Sequence, residues 1–413
     1  MPARRVSAEW VYPVGSPPIT GGAVLLDADG RIAVVGPDAR VPCPPGVASE
    51  HFDDAVLTPG LVNAHTHLEL TGLAGTVTDD HFSSWIVGVR RAKELRSPEE
   101  FLAAARRGLA ESLAAGVTTV AETGDTGAAA HAIVELGGRG VVYQEVFGPH
   151  PDQCAASRDE LAERIDRLSL LNSPTLRLGV SPHAPYTVSA DLYSAVARLA
   201  RERGLPLAVH IAESSAESAF LGNGTGPFAQ AWERRGIPAP DPLGDTPIEW
   251  LDRLGVLGSR TLCIHCVQAT ASDLNLLRSR EATIVHCPRS NRRHGHGDAP
   301  LGEFLAAGIP VGLGTDSEVS VAPPDLLAEG RMAMDIAGID AARALELATL
   351  GSARAIGLGA EIGTLEVGRW GDLVVRRVGS GISGAALADR ILASGAGSVI
   401  LTVVAGMDRH RAS

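Results

Sequence analysis

Residues 61–67 read LVNAHTH, an apolar run that ends in two histidines separated by one residue. Seven further runs rich in Val, Ile and Leu follow it along the chain. They are VTTVAE (117–122), VVYQEVF (141–147), RLGVSPH (177–183), PLAVHIAE (206–213), TLCIHCV (261–267), TIVHCP (283–288) and VGLGTDS (311–317). Their length and composition indicate buried β-strands.

Amphipathic segments separate these runs. Two examples are SRDELAERIDRLSLL (157–171) and SADLYSAVARLARERG (189–204), and we expect Ser157 and Ser189 to cap the two helices. Strand–helix alternation is typical of a parallel sheet. Eight units over roughly 250 residues predict a closed (β/α)8 barrel of the TIM type, in an α/β protein. We expect this barrel to occupy residues 59–358.

Both ends of the chain follow a different pattern. GAVLLDADGRIAVVG (22–36) is two β-like runs around a DADG turn, which predicts a hairpin. GDLVVRRV (371–378) and SVILTVVAG (398–406) are also β-like. The ends therefore predict a small β-sandwich domain formed by residues 1–58 together with residues 359–413.

Composition limits the classes of partner. The 413 residues carry a net charge of −12, which argues against binding to nucleic acid or to a membrane surface. No apolar run reaches the roughly 18 residues of a membrane span, and the N-terminal residues lack the apolar core of a signal peptide. Five cysteines in so long a chain are no disulfide framework. We expect a cytoplasmic protein that binds a small molecule and could form a homodimer.

Polar residues collect where the barrel strands end. Reactive groups of such barrels lie at the carboxyl ends of the strands. A single histidine there would more often be a hydrogen-bonded core residue. A group at one rim predicts an active site instead. The group comprises His65, His67, Glu122, His183, His210, Glu213, His265, His286 and Asp316.

The spacing of His65 and His67 indicates a metal site. Side chains at i and i+2 share one face of a strand, so both imidazoles can point into the barrel mouth. His210 ends the fifth predicted strand and Asp316 the eighth. Three histidines and a carboxylate leave a coordination position for water, as a catalytic metal requires.

Glu213 and His265 are the candidates for proton transfer. Glu213 follows His210 by three residues and can reach a water or a substrate nitrogen, which suits a general acid/base. The structural alternative is a glutamate that caps a helix. His265 could polarise the water. Cys263 and Cys266 point to opposite faces of one strand and have no partner pair, so a zinc ribbon is not predicted.

The motifs LTPGLVNAHTHLE, GVTTV, SPHAPYTVS, VHIAES, HCV, HCPRSN and AGIPVGLGTDS occur in this order. With ALELATLGSARAIGLGAEIGTLEVGRWGDLVV they cover nearly the whole chain, which resembles the deaminase and chlorohydrolase branch of the amidohydrolase superfamily. The resemblance implies a metal-dependent hydrolase acting on C–N bonds other than peptide bonds. It implies that Glu213 is the proton shuttle, that His265 orients the water and that His183 contacts substrate. The implied metal ligands are His65, His67, His210 and Asp316.

The single lysine of the chain bears on the number of metals. Two-metal members of the superfamily resemble one another in a carboxylated lysine at the end of the fourth strand, where this chain has SPHAP. Lys93 lies far earlier, in a helix-like stretch. We therefore expect one divalent metal per chain, zinc in the first place and iron as the alternative.

The narrower resemblance concerns the substrate. THLE (66–69), FSSWIVGVRR (82–91), YQEVFG (143–148) and CPRSNR (287–292) are most similar to aminodeoxyfutalosine deaminases of menaquinone biosynthesis. That resemblance implies an adenine nucleoside carrying a carboxylate, for which Arg90, Arg91 and Arg289 are candidate partners. Glu69 could bind ribose hydroxyls or the ring, or support the site from outside the pocket.

Three functions stay open at this point. The first is deamination of an adenine nucleoside, either aminodeoxyfutalosine or methylthioadenosine and S-adenosylhomocysteine. The second is removal of an amine or a chloride from another heterocycle at the same metal. The third is a non-catalytic binding barrel, which is disfavoured because every ligand and acid/base position is filled.

Overall fold

The computed structural model describes residues 2–241 and 243–412. It contains two sheets, numbered here along the chain. The terminal residues supply β1 (Arg4–Val11), β2 (Ile19–Leu26), β3 (Ile32–Pro37), β4 (Ala48–Pro59), β13 (Leu373–Arg377), β14 (Val399–Val404) and β15 (Met407–Arg411). The middle supplies β5 (Leu61–Thr66), β6 (Val117–Gly124), β7 (Arg139–Val146), β8 (Leu176–Pro182), β9 (Leu207–Ile211), β10 (Thr261–His265), β11 (Thr283–His286) and β12 (Val311–Leu313).

Strands β5 to β12 form a parallel sheet in sequence order. The sheet closes where the last strand returns to the first, through a parallel bridge between Thr66 and Asp316. The backbone N–H groups of Thr315 and Asp316 donate to the carbonyl oxygen of His65 at 3.0 and 3.1 Å. The predicted (β/α)8 barrel is therefore confirmed, and its closure joins two of the candidate site residues directly.

The helices pack outside the barrel strands. They are α1 (Phe82–Glu94), α2 (Pro98–Ala114), α3 (Ala128–Leu136), α4 (Cys154–Ser169), α5 (Ala190–Arg203), α6 (Ser215–Asn223), α7 (Gly226–Arg234), α8 (Pro247–Arg253), α9 (Ala271–Ser279), α10 (Pro288–Arg293), α11 (Leu301–Ala306), α12 (Leu326–Ala337), α13 (Ala341–Glu346), α14 (Ser352–Ala355) and α15 (Leu387–Ala393). Among the described residues, no helix has both the length and the apolar character required to span a bilayer.

The two predicted helix caps have different outcomes. Ser189 caps α5, where its hydroxyl accepts from the backbone N–H of Leu192 at 3.4 Å. Ser157 does not cap α4, because that helix begins three residues earlier. A short 3-10 turn at Pro151–Gln153, capped by the His150 side chain, leads directly into the helix. The helix therefore begins closer to the N-terminus than predicted.

The terminal strands form one mixed sheet in the order β15-β14-β13-β4-β1-β2-β3. The predicted hairpin is its β2–β3 pair, and the Asp27 carboxylate closes the turn by accepting from the N–H groups of Asp29 and Arg31 at 3.0 and 2.8 Å. Apolar side chains from both termini share a buried core of their own, which includes Val6, Leu57 and Leu401. The pairing of both termini in a separate sheet is confirmed, whereas the domain boundaries at residues 58 and 358 stay a prediction.

Candidate active site

A cavity of about 470 Å³ opens at the carboxyl ends of the barrel strands. This volume is within the range of small-molecule sites. Six members of the group predicted at the strand ends lie on its wall. They are His67, His183, His210, Glu213, His265 and Asp316.

The four predicted metal ligands converge at this end of the barrel. The Nε2 atoms of His65 and His67 lie 3.5 and 3.4 Å from Oδ1 of Asp316. Ligand atoms of His65, His210 and His265 lie within 4.8 Å of one another. The rings of His67 and His210 stack with their centroids 5.5 Å apart. Nitrogen and carboxylate donors this close together could hold one zinc-like cation.

Hydrogen bonds orient two of these imidazoles. Nδ1 of His67 lies 2.8 Å from the carbonyl oxygen of Thr123, and Nδ1 of His210 lies 3.1 Å from that of His183. A carbonyl oxygen only accepts, so both Nδ1 atoms carry the proton and both Nε2 lone pairs are free to bind a metal. Within the described part of the chain, neither buried ring nitrogen of His65 has a hydrogen-bond partner. A bound cation would satisfy this buried group, so the residues fit a metal.

The charge states agree with metal binding. Burial lowers the pKa of His67 to about 3 and that of His210 well below its ordinary value, so both rings are neutral. Burial alone would raise the pKa of Asp316, but the neighbouring imidazoles of His65 and His67 lower it well below its ordinary value. Neutral imidazole and ionised carboxylate are the forms that bind metals.

Asp316 is itself held in place by neighbours. The hydroxyl of Ser290 donates to its Oδ2 at 2.5 Å, and the backbone N–H of Ser317 donates to its Oδ1 at 2.7 Å. Ser290 belongs to the quoted HCPRSN motif, but no spacing rule connects it to Asp316, 26 residues later. The sequence analysis did not identify Ser290 as the hydrogen-bond partner of this candidate ligand.

Glu213 lies between two histidines. Its Oε1 is 3.6 Å from Nε2 of His265 and 3.5 Å from Nε2 of His296. Burial raises the pKa of Glu213, but these two histidines outweigh burial and lower it overall, so the carboxyl is ionised. The bend that carries it is held by the Glu217 carboxylate, which accepts from the N–H groups of Ala212 and Glu213 at 2.8 and 3.0 Å. Sequence reasoning had assigned no role to His296 or Glu217.

An asparagine orients His265. Nδ1 of His265 lies 2.9 Å from Oδ1 of Asn291, while Nδ2 of Asn291 lies 3.2 Å from Nδ1 of His286. The amide oxygen accepts, so Nδ1 of His265 donates to it and Nε2 of the same ring faces Glu213.

His183 presents a lone pair to the cavity. Its Nδ1 lies 2.8 Å from the hydroxyl oxygen of Thr187, whose own proton goes to the carbonyl oxygen of Ala184 at 3.0 Å. Nδ1 is therefore the donor, and Nε2 is left as an acceptor. Burial lowers the pKa of His183 to about 4, which keeps the ring neutral.

Comparison with known protein families identifies relatives of this chain. Residues 56–407, most of the chain, match the model of the Amidohydrolase family.

This chain belongs to the amidohydrolase family.

Relatives of known function are similar over most of their length. A 5-methylthioadenosine/S-adenosylhomocysteine deaminase of Moorella thermoacetica is 32% identical over 88% of this chain and 83% of its own. An aminodeoxyfutalosine deaminase of Deinococcus radiodurans is 33% identical over 75% of each chain. The structure of an adenosine deaminase from Xanthomonas campestris with bound zinc has a TM-score of 0.85 and 29% identity, covering 98% of this chain and 92% of its own. The predicted hydrolytic enzyme of C–N bonds is confirmed.

Three predicted substrate residues, Glu69, Arg91 and Arg289, do not lie on the cavity wall, and Arg91 is solvent-exposed. The Glu69 carboxylate accepts from the N–H groups of Thr126 and Ala128 at 3.3 and 3.1 Å, at the start of α3. Nη1 of Arg289 donates to the carbonyl oxygen of Pro323 at 3.2 Å and lies 3.7 Å from Oε1 of Glu329. The Glu69 carboxylate is therefore held by the backbone at the start of α3, and Arg289 contacts the loop at Pro323.

Three basic side chains, those of Arg90, Lys93 and Arg235, line the cavity. Arg90 donates to Glu94 at 2.8 Å, and Lys93 donates to Asp125 at 2.6 Å. Arg235 is solvent-exposed and also lies on the wall, and within residues 2–241 and 243–412 it is in no ion pair with a carboxylate. The sequence contained no signal that distinguished Arg235 from other arginines.

Proposed function

We propose that this amidohydrolase is a metal-dependent deaminase that converts an adenine nucleoside to the corresponding hypoxanthine nucleoside and ammonia. The observation that carries the proposal is the position of Glu213, whose ionised carboxylate faces His265 beside the four candidate ligands. A placed acid/base next to a metal site is what hydrolysis of an aromatic amine requires. Deaminases of adenosine and its derivatives among the relatives support the same reaction.

His65, His67, His210 and Asp316 would hold one divalent cation, zinc in the first place and iron as the alternative. A bound cation would lower the pKa of a coordinated water toward roughly 7 and so supply the nucleophile at neutral pH. Lys93 is committed to Asp125, which is consistent with a single cation. Elemental analysis should find one tightly bound metal per chain. Two per chain, or none after growth in metal-rich medium, would contradict this part of the proposal.

The protein side chains would orient the water and transfer its protons. His265, held by Asn291, and Asp316 orient the attacking water toward the amino-bearing carbon. Glu213 accepts a proton from that water and delivers it to the neighbouring ring nitrogen. Glu213 next assists proton transfer to the departing amino group, which leaves as ammonia. Nε2 of His183 is available to bind a donor on the substrate.

For the specific substrate we propose aminodeoxyfutalosine, on the route to menaquinone, with S-adenosylhomocysteine and methylthioadenosine as the alternatives. Sequence identity does not distinguish between these substrates. The aminodeoxyfutalosine deaminase is 33% identical to this chain, and the 5-methylthioadenosine/S-adenosylhomocysteine deaminase is 32% identical. The free guanidinium of Arg235 favours a substrate with a carboxylate, since an arginine pairs well with that group. Methylthioadenosine lacks a carboxylate, whereas aminodeoxyfutalosine and S-adenosylhomocysteine carry one.

The test compares kcat/KM for aminodeoxyfutalosine, S-adenosylhomocysteine, methylthioadenosine and adenosine, followed by purine absorbance. Aminodeoxyfutalosine should exceed adenosine at least about tenfold, because a charge-assisted pair contributes about 1.5–3 kcal/mol. Arg235→Ala should remove most of that advantage, while Arg234→Ala, a change at the exposed neighbouring arginine, should keep it. Equal kcat/KM values for all four nucleosides would indicate a general adenine-nucleoside deaminase. Turnover of a triazine alone would overturn the proposal in favour of another heterocycle.

We place the enzyme in the cytoplasm. All five cysteines are free, and two of them, Cys263 and Cys266, are buried close together without forming a disulfide. Free cysteines are usual in a reducing compartment. Activity confined to the soluble cytoplasmic fraction of the source cell would support this location, and activity outside the cell would contradict it.

A further inference from the structure

A second cavity lies at the end of the barrel opposite the candidate active site. Its volume is about 490 Å³, within the range of small-molecule sites. It is lined where four barrel strands begin, by Leu178 of β8, Pro206 before β9, Arg260 before β10 and Thr283 of β11. Residues 355–357, at the end of α14 and just beyond it, form another part of the wall. None of the residues assigned to deamination lies on this wall, so the cavity has no part in that chemistry.

The wall of this second cavity is rich in arginine. Arg177, Arg260 and Arg354 line it, whereas no aspartate or glutamate among the described residues does so. In the part of the chain that the structure describes, Arg260 is in no ion pair with a carboxylate. Its Nη1 donates to the carbonyl oxygen of Gly204 at 2.7 Å. A wall with one sign of charge attracts ligands of the opposite sign.

Carboxylates outside the wall neutralise the arginines only in part. Arg177 forms an ion pair with Glu361. Nη1 of Arg354 lies 3.8 Å from Oε1 of Glu346, but this carboxylate also accepts from Nη1 of Arg343 at 2.5 Å. The three arginines of the wall therefore retain positive charge for an anionic ligand.

A buried hydroxyl group belongs to the same wall. Tyr143 of β7 is 1% exposed, and its ring lies over Gly179 of β8, where a Cβ atom would come within 2.6 Å of Cδ1. Across the residues that the structure describes, the Tyr143 hydroxyl has no hydrogen-bond partner. Burial raises the pKa of Tyr143, although the nearby charge of Arg177 lowers it, so the hydroxyl keeps its proton. Buried hydroxyls are nearly always hydrogen-bonded, so one that faces a cavity points to a ligand.

The donors on the wall select the class of anion. A guanidinium group pairs with a carboxylate or a phosphate through two N–H groups, and a protonated phenol donates one further hydrogen bond. A phosphate monoester carries a charge of roughly −1.5 to −2 at pH 7 and three terminal oxygens, so it can use several donors at once. A carboxylate has only two oxygens and a single charge. The wall also contains Leu178, Pro206 and Ile356, which can contact an organic substituent.

We propose that this cavity binds a small phosphate monoester, whose phosphate group is held by Arg260, Arg354 and the hydroxyl of Tyr143. Arg177 adds positive charge to the same wall. This second site is independent of the proposed deaminase function, because the two cavity walls share no residue.

Isothermal titration calorimetry of the metal-loaded enzyme tests the site with three probes. Propyl phosphate is compared with butyrate, a carboxylate with the same alkyl group, and with inorganic phosphate. At low ionic strength, where exposed charges are least screened, one propyl phosphate should bind per chain. Its Kd should be at least about tenfold lower than that of butyrate, because phosphate accepts more charge-assisted hydrogen bonds. It should be at least about threefold lower than that of inorganic phosphate, because the propyl group contacts the apolar part of the wall.

Two variants remove single donors of the proposed site. Arg260→Gln and Tyr143→Phe should each raise the Kd of propyl phosphate by at least about fivefold. Arg201→Gln is the matched control, since this exposed arginine also donates through Nη1 to a backbone carbonyl at 2.7 Å but lies outside the wall. Arg235→Ala changes the wall of the candidate active site and should also leave the Kd unchanged. Because it deletes a hydroxyl without a partner among the described residues, Tyr143→Phe should melt no lower than the wild type, which checks its folding.

Several results would overturn the inference. Absence of propyl phosphate binding to the wild type would do so, as would an unchanged Kd in both Arg260→Gln and Tyr143→Phe. Butyrate or inorganic phosphate binding as tightly as propyl phosphate would assign the cavity to carboxylates or to the free ion instead. Loss of affinity in Arg235→Ala alone would place the phosphate in the candidate active site. Turnover of adenine nucleosides decides the proposed function separately, since it does not enter these titrations.

Discussion

At the scale of single residues, four non-glycine residues at the candidate site have strained backbone conformations. Ala212, His265, Cys266 and Asp316 all have positive φ, between 50° and 76°, although none is glycine. Such conformations cost on the order of 1–3 kcal/mol each and persist only where the surroundings enforce them. They lie at or just beyond the ends of β9, β10 and β12, so the strain is used to turn polar side chains into the barrel mouth.

Glu213→Gln tests the proton transfer. Glutamine keeps the shape but cannot carry the proton, so kcat should fall by about 10²–10⁴. The metal content should stay at the wild-type level, because Glu213 is not among the candidate ligands. Stopped assays of ammonia release together with elemental analysis measure both effects. A variant that retains near-normal kcat would remove Glu213 from the mechanism.

Ser290→Ala tests how Asp316 is held. The variant deletes the hydroxyl that donates to Oδ2 and changes little else in a fully buried position. Loss of a partner that orients a metal ligand typically costs about 10–100-fold in metal affinity or activity. Competition with a zinc-binding dye measures the affinity directly. An unchanged affinity and kcat would mean that Ser317 alone suffices to orient the carboxylate.

At the scale of elements, one short helix supplies two side chains that hydrogen-bond to candidate site residues. α10 follows β11 directly and supplies both Ser290 and Asn291. Its first turn is joined to α12, where the Glu329 carboxyl accepts from the backbone N–H of Arg289 at 2.9 Å. This hydrogen bond connects α12 to the helix that carries the two supporting side chains.

Glu329→Gln tests this junction through pH. Burial raises the pKa of Glu329 to about 8 in the folded protein. Between the unfolded value near 4.5 and about 8, the unfolded chain loses this proton and the folded chain keeps it. Stability from Glu329 is thus complete below about 4.5 and declines as pH rises, by up to a few kcal/mol.

Glutamine has no proton to lose and can keep the bond to Arg289. The fall in unfolding free energy from pH 5 to pH 8, measured with urea, should therefore be smaller in Glu329→Gln than in the wild type. The same pH dependence in both proteins would show that the Glu329 carboxyl is not buried in its protonated form.

At the scale of the whole molecule, a buried ion pair joins the two sheets. Arg139, at the start of β7, donates to Asp372 through Nε at 2.6 Å and through Nη2 at 3.1 Å. Both residues are at most 3% exposed, and Asp372 also accepts from the N–H of Ala405 at 2.7 Å. The pair lies at the opposite end of β7 from Glu145, so it serves the docking of the terminal sheet and not the cavity.

Arg139→Leu should destabilise the protein by about 3–5 kcal/mol, because it leaves the Asp372 carboxylate buried and unpaired. Arg139→Leu combined with Asp372→Asn should recover part of the loss, since no charge is then stranded. Urea unfolding at pH 7 measures both variants. Equal stability of Arg139→Leu and the wild type would mean that the terminal sheet docks without this pair.

The sequence by itself was sufficient for the barrel, the terminal sheet and the convergence of six polar residues on the cavity. These features follow from local rules, because strand periodicity sets which side chains share a face and parallel strands end at one rim. The predicted cap of α4, Ser157, lies four residues after the observed cap, Gln153, because the turn at Pro151–Gln153 leads into the helix before that serine.

Only the tertiary structure decided which polar groups next to the strand ends are free. Glu69 follows β5 closely and Glu145 lies at the end of β7, yet the Glu69 carboxylate is bound by the backbone at the start of α3. Within the described part of the chain, the buried Oε1 of Glu145 has no hydrogen-bond partner. Arg289 and Arg235 differ in the same way. The reason is physical: a side chain's freedom depends on partners tens to hundreds of residues away, and no spacing along the chain encodes which of them arrives.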